Sequence, residues 1–167
     1  EMLSPYFGKK YDKLEVISAL NEYPELTYTE YSDFDELTKE VSYWLTQNRV
    51  IGWFQDGSEV GPRALGNRSI IASPMEPWMT GHINSDIKGR EWYRPFAPAV
   101  LFDHQSEIFE SDVYSPYMLV TTTVKEDWRK KIPAVTHIDN SSRHQSVTKE
   151  NNPKFYNLIE KFYDKTG

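Results

Sequence analysis

The sequence predicts a mixed domain, α/β or α+β, with about five or six strands. Two observations point there. Two long segments repeat their apolar residues with helical period. Several short runs rich in β-branched and aromatic residues lie between turn signals. The chain has 167 residues, of which 38 % are hydrophobic and 14 % aromatic, enough to build one compact core.

Each element has a local cause. Ser4 to Tyr11 is irregular and reads as an entering linker. Leu14, Val16, Ile17 and Leu20 predict a short helix capped by Asp12. Leu26-Thr27-Tyr28-Thr29 predicts a short strand inside an acidic, tyrosine-rich stretch. Phe34, Leu37, Val41, Trp44 and Leu45 fall on one helical face, with Ser32 or Asp33 as the cap and Asn48 as the stop. Val50–Phe54 reads as a mostly buried strand, Gln55–Gly66 as a loop, and Ser69–Ala72 as a strand stopped by Pro74. Pro77 suits the first turn of a helix running to about Ile87. Ala97–Phe102, Tyr117–Val124 and Pro133–Ile138 have strand character. The last helix has Asn152 as cap, Pro153 as first residue, and Phe155, Leu158, Ile159 and Phe162 as its apolar stripe.

Composition excludes several classes of function. The net charge is −6, too acidic for a general nucleic-acid binder. There is no Cys, so thiolate catalysis, disulfides and zinc–cysteine sites are out. A reducing cytosol is compatible with that, and a cytoplasmic location is expected. No run approaches the roughly 20 apolar residues of a membrane span. The first residues lack the basic and apolar blocks of a signal peptide.

Charge is unevenly distributed. Between Gly61 and Arg94 the net charge is +2, and the remaining residues carry −8. A small cationic island in an acidic chain suits a compact anionic ligand. Gly61-Pro62-Arg63-Ala64-Leu65-Gly66-Asn67-Arg68-Ser69 follows a strand and offers glycines for close backbone approach and arginines for phosphate. It is no P-loop, because Asn67 and Arg68 stand where Lys and Ser/Thr belong. The alternative is a tight turn whose arginines pair with Asp56 or Glu59. Lys88-Gly89-Arg90-Glu91 and Arg94-Pro95 form a second cationic cluster, read either as an anion clamp or as a solvated helix end. His137 and Asp139 have the spacing of an acid–base pair or of a satisfied strand end. His137 and His144 lack a recognised metal spacing, so no metal site is expected.

Taken together, these stretches resemble the C-terminal domain of the NodU/CmcH/TobZ-type O-carbamoyltransferases. The matching strings, in the family's order, are Gly52-Trp53-Phe54-Gln55, Gly61 to Ser69, Ile83-Asn84, Lys88-Gly89-Arg90-Glu91, Arg94-Pro95-Phe96-Ala97-Pro98, Ser115-Pro116-Tyr117-Met118, Pro133 to Asp139 and Asn152 to Tyr156. The likeness begins at Ser4-Pro5-Tyr6-Phe7-Gly8.

The resemblance implies a YrdC-like fold, a twisted mixed sheet with flanking helices. It implies that residues 12–167 bind carbamoyl phosphate and ATP, with Mg²⁺, and form carbamoyl-adenylate. An N-terminal domain, joined through residues 1–11, would move the carbamoyl group to a hydroxyl and would carry the iron. By the same resemblance Lys88 and Arg90 are the catalytic pair. Arg63 and Arg94 contact carbamoyl and phosphate, and Arg143 contacts nucleotide phosphates. Arg68 and His137 join this binding set or brace it. The family continues past a Thr-Gly like Thr166-Gly167 into a further strand motif. The chain is therefore expected to bind anions, to turn over poorly alone, and to self-associate or be marginally stable; a homodimer fits that expectation. The rival readings are a non-catalytic anion-binding or interaction module and a tRNA-modifying YrdC-like protein.

Overall fold

A computed structural model describes residues 4–167, and the mixed class expected from the sequence is observed, in its α+β form. The first helix, α1 (Lys13–Asn21), opens with a capping box. Asp12 accepts from the Glu15 amide at 2.8 Å, and Glu15 accepts from the Asp12 amide at 3.0 Å. Its apolar stripe finds no core: no residue of α1 is buried, and Leu14 is 76 % exposed. The strand expected at 26–29 does not form; Leu26 and Tyr28 lie exposed in irregular chain without a neighbouring strand edge.

The second helix, α2 (Phe34–Thr46), is capped by Asp33, which accepts from the Asp35 amide at 2.8 Å. It ends where expected: Asn48 adopts φ +60°, a left-handed stop that asparagine tolerates. The last helix, α6 (Pro153–Thr166), has Asn152 as its cap, accepting from the Phe155 amide at 3.2 Å. The apolar faces of α2 and α6 pack together with Val41, Leu45, Trp53, Leu101, Val147, Phe155, Tyr156 and Leu158 as the main core. Thr38 on α2 donates to Asn157 on α6 at 2.6 Å across that contact.

Among the described residues six short strands pair two by two. Strands β1 (Ile51–Phe54) and β2 (Arg68–Ile71) are antiparallel, with Ile51 opposite Ile71 and Phe54 opposite Arg68. Strands β3 (Ala99–Leu101) and β6 (Gln145–Val147) are parallel, with Ala99 opposite Gln145. Strands β4 (Thr122–Thr123) and β5 (Ser141–Ser142) are antiparallel. Among the described residues the mixed strand pairing is thus spread over three two-stranded sheets. A second core of Val100, Phe109, Val124, Ile132 and Val135 lies under the short turns α4 (Gln105–Ile108) and α5 (Glu126–Arg129).

Several expected elements are shorter or different. In β1 only Trp53 is buried; Phe54 is 58 % exposed and carries the Arg68 guanidinium on its ring at 3.5 Å. The helix expected from Pro77 starts later, as α3 (Met79–His82), and runs on as a π-helical turn over Ile83–Ile87. Of Tyr117–Val124 only Thr122–Thr123 is strand, because Met118 at φ +54° breaks the extended run. Pro133–Val135 is a 3₁₀ turn rather than a strand; the Thr136 hydroxyl returns to the Ile132 carbonyl at 2.9 Å and closes it. Among the described residues no helix is long and apolar enough to cross a membrane.

Candidate functional site

The loop between β1 and β2 is built around its own carboxylate. Glu59 Oε1 accepts from the backbone amides of Leu65 (2.6 Å), Asn67 (2.9 Å) and Arg68 (3.3 Å). The amides that a phosphate loop would present outward are spent internally, so ligand recognition here falls to side chains. Beneath the loop lies a buried amide network. Gln55 donates to Asn67 at 2.9 Å and to Asn152 at 2.8 Å, Asn152 donates to Asn67 at 2.9 Å, and Trp53 donates to Gln55 at 2.7 Å. Residues 4–11 pack on this loop, with Tyr6 donating to the Leu65 carbonyl at 2.9 Å and the Gly8 amide to Ser58 at 2.9 Å. Burial raises the Tyr6 phenol above its ordinary pKa, so it stays a neutral donor.

Gly66 closes the loop against α6. It has φ +103°, and a methyl group there would lie 2.4 Å from Phe155 Cδ1. Arg63, Ala64 and Gly66 line a cavity of about 470 Å³, together with residues of the β2 segment and of the chain entering β3. The cavity is floored by apolar side chains, among them Met79, Ile83, Phe155 and Leu158, and walled by Arg63, Lys88, Arg90 and Arg143. Among the described residues no carboxylate lines it.

Arg143 is the most informative of these cations. Its Nε is buried and has no hydrogen-bond partner among the described residues. Burial first, and the Arg63 charge second, lower its pKa from the ordinary arginine value. Two neighbouring guanidiniums with one donor left unsatisfied form an arrangement that an anion would relieve. Gln145 shares this wall; its Nε2 donates to the Leu65 carbonyl at 2.9 Å and its Oε1 is also buried without a partner.

Lys88 and Arg90 arrive from the other side, on the chain that leaves the π-turn. The Lys88 amide donates to the Ile83 carbonyl at 2.9 Å, the bond that closes that turn. Arg90 Nε donates to Asn84 Oδ1 at 2.6 Å, and its guanidinium lies over the Phe96 ring at 4.7 Å.

Four of the seven cationic or histidine positions singled out in the sequence therefore share one cavity: Arg63, Lys88, Arg90 and Arg143. The other three sit elsewhere. Arg68 donates to the carbonyls of Gln55 (2.6 Å), Asn67 (2.7 Å) and Asp56 (2.9 Å), so it braces the loop. Arg94 pairs with Glu91 at 2.8 Å on the exposed side of its segment. His137 Nδ1 meets the Ser141 hydroxyl at 3.0 Å, while Asp139 accepts from the same Ser141 at 2.6 Å; the three close a turn. Among the described residues no group of His, Asp or Glu side chains is arranged to hold a metal. Sequence reasoning named Glu59, Asn84, Gln55, Asn67 and Asn152 but missed the loop-bracing role of Glu59, the grip of Asn84 and the buried amide network, because groups that serve the backbone and each other leave no spacing signature.

The described residues thus form, in an α+β domain, a cavity lined by four cations and by no carboxylate. Comparison with known proteins adds the family. Residues 42–167 match the family described as carbamoyltransferase C-terminus, and the chain belongs to that family. It is 38 % identical over 182 residues to an uncharacterized protein of Synechocystis, covering 96 % of this chain and 29 % of that protein. It is 41 % identical over 136 residues to nodulation protein NolNO of Sinorhizobium fredii, covering 80 % of this chain and 20 % of that protein. It is 41 % identical over 128 residues to nodulation protein U of Bradyrhizobium diazoefficiens, covering 77 % and 22 %. The chain thus spans less than a third of the length of these relatives.

Proposed function

We propose that this domain binds carbamoyl phosphate and ATP in the cavity between β2 and β3 and forms carbamoyl-adenylate there. The observation that carries the reading is the convergence of Arg63, Lys88, Arg90 and Arg143 on one cavity, with Arg143 Nε buried and unpaired beside Arg63. Two anionic substrates repel each other. Fixed cations over an apolar floor lower that cost, and they stabilise charge that develops at the α-phosphorus.

Atom balance requires one water: its oxygen bonds to the phosphorus of carbamoyl phosphate and breaks the P–O bond to the carbamoyl group, giving inorganic phosphate and carbamate; a carbamate oxygen then bonds to the α-phosphorus of ATP, and pyrophosphate departs with the electron pair of the broken anhydride. Lys88 and Arg90 are assigned to the departing phosphates, Arg63 and Arg143 to the bound ones. No covalent nucleophile is needed. Mg²⁺ is assigned to the triphosphate rather than to the protein, in keeping with the carboxylate-free lining. Transfer to a hydroxyl acceptor is assigned to the remainder of a protein of the relatives' length, along with any iron, and the whole to the cytoplasm. Arg68, Arg94 and His137 are given structural roles.

The test is carbamoyl-phosphate-dependent ATP–pyrophosphate exchange in a chain of the relatives' length. Lys88→Ala should lower the exchange rate by about 100-fold or more, the range expected for removing one charge clamp, with the melting temperature unchanged. Retained exchange would favour a non-catalytic anion-binding module. Tight tRNA binding at physiological salt would favour the tRNA-modifying reading.

A further inference from the structure

Asn84 is completely buried, and every polar atom of its amide is used. Nδ2 donates to the Trp92 carbonyl at 3.0 Å and to the Arg94 carbonyl at 2.9 Å. Oδ1 accepts from Arg90 Nε at 2.6 Å. The backbone joins in: the Arg90 amide donates to the Asn84 carbonyl at 2.9 Å. One residue thereby grips the segment from Arg90 to Arg94 at four points.

The amide can sit only one way. Turned over, Oδ1 would face two carbonyl oxygens and Nδ2 would face a guanidinium donor, so all three side-chain bonds would be lost. The π-turn over Ile83–Ile87 is what makes the grip geometrically available. Its wider i→i+5 closure, from Lys88 back to Ile83, leaves both Ile83 and Asn84 buried. Ile83 lines the cavity while Asn84 holds the chain that carries two of its cations.

The consequence falls on Arg90. Its Nε is committed to Asn84, and its flat face is committed to Phe96 at 4.7 Å. Those two contacts fix the plane of the guanidinium before any ligand arrives. What remains uncommitted in the hydrogen bonds of this site is the pair of terminal nitrogens, the fork that matches two oxygens of one phosphate. A guanidinium held in this way loses little further freedom on binding.

We infer that Asn84 is a positioning residue: it presets the Arg90 fork for a phosphate oxygen pair in the cavity. This rests on the anion-site reading above and deepens it, because it assigns the tuning of that site to a neutral residue that does not line the cavity.

A double-mutant cycle tests it, with inorganic pyrophosphate and carbamoyl phosphate as calorimetric probes. Arg90→Lys keeps the charge and removes the fork. Arg90→Lys and Asn84→Ala should each weaken pyrophosphate binding by about tenfold, the effect of one charge-assisted hydrogen bond. The double variant should bind no worse than Arg90→Lys, because Asn84 has nothing left to position. A purely structural Asn84 would instead multiply the two losses, and that outcome overturns the inference. Unchanged affinity in Asn84→Ala overturns it as well. Failure of the wild-type protein to bind either probe overturns the anion-site reading itself, and the inference with it.

Should Asn84→Ala not fold, the unliganded wild-type protein still decides. The Arg90 Nε–H nuclear magnetic resonance should be resolved and slow to exchange with water. A rapidly exchanging Nε–H would show a free guanidinium and end the proposal.

Discussion

His144 is wholly buried, stacked on Phe109 with ring centres 4.6 Å apart, between two residues that line the cavity. Burial lowers its pKa from the usual histidine value of 6.5, so the folded protein prefers it neutral. The sign follows directly. The unfolded chain binds the proton more readily, so this contribution to stability is complete above 6.5 and is lost as pH falls below it toward the folded value. Urea unfolding between pH 8 and pH 5 should show stability declining on the acid side, by at most about 1.4 kcal/mol per pH unit from this group. His144→Phe preserves the stack and should flatten that part of the profile. Parallel profiles for the two proteins would refute the assignment. At this scale the sequence showed which side chains are ionisable and which can cap a helix. It did not show that Glu59 would consume loop amides, because that depends on how the chain folds back within the loop.

Among elements, the contact between the Gly66 turn and α6 carries the most consequence. Gly66 combines φ +103° with a Phe155 ring lying where a methyl group would go. Gly66→Ala would incur both backbone strain and overpacking, and should lower stability by about 3 kcal/mol or more. The loop bearing Arg63 would shift with it. Thermal melts check the first effect, and a variant as stable as wild type would contradict it. The elements also mark the limit of periodicity. The apolar residues Leu14, Val16, Ile17 and Leu20 of α1 lie at i, i+2, i+3 and i+6, a weakly one-sided pattern, and none of its residues is buried, whereas those of α2 keep to one face and build the core. The face of α2 also has α6 to pack against. The expected strand at Pro133–Ile138 fails for a related reason. β propensity is satisfied only where a partner edge is present, and at Pro133 a 3₁₀ turn closes more of the local hydrogen bonds.

The whole molecule has four cations on one cavity and a net charge of −6. An anion that binds this cavity only in the folded state must stabilise the fold. At one hundred times its dissociation constant, pyrophosphate should add about 2.7 kcal/mol, a rise of about 5–10 °C in melting temperature for a chain of this size. Sodium chloride at matched ionic strength should not reproduce the rise. An equal shift with chloride would mean general screening rather than a site.

The capped ends of α1, α2 and α6, the mixed class and the family motifs were all legible in one dimension. Each is encoded by residues within a few positions of one another, where backbone geometry leaves few choices. Which of Arg63, Arg68, Lys88, Arg90, Arg94, His137 and Arg143 meet in space was decided only by packing. Every one of these residues has several low-energy partners available. The folded chain gave Arg68 to nearby carbonyls, Arg94 to Glu91 and His137 to Ser141, and left Arg143 Nε unpaired in the wall of the cavity.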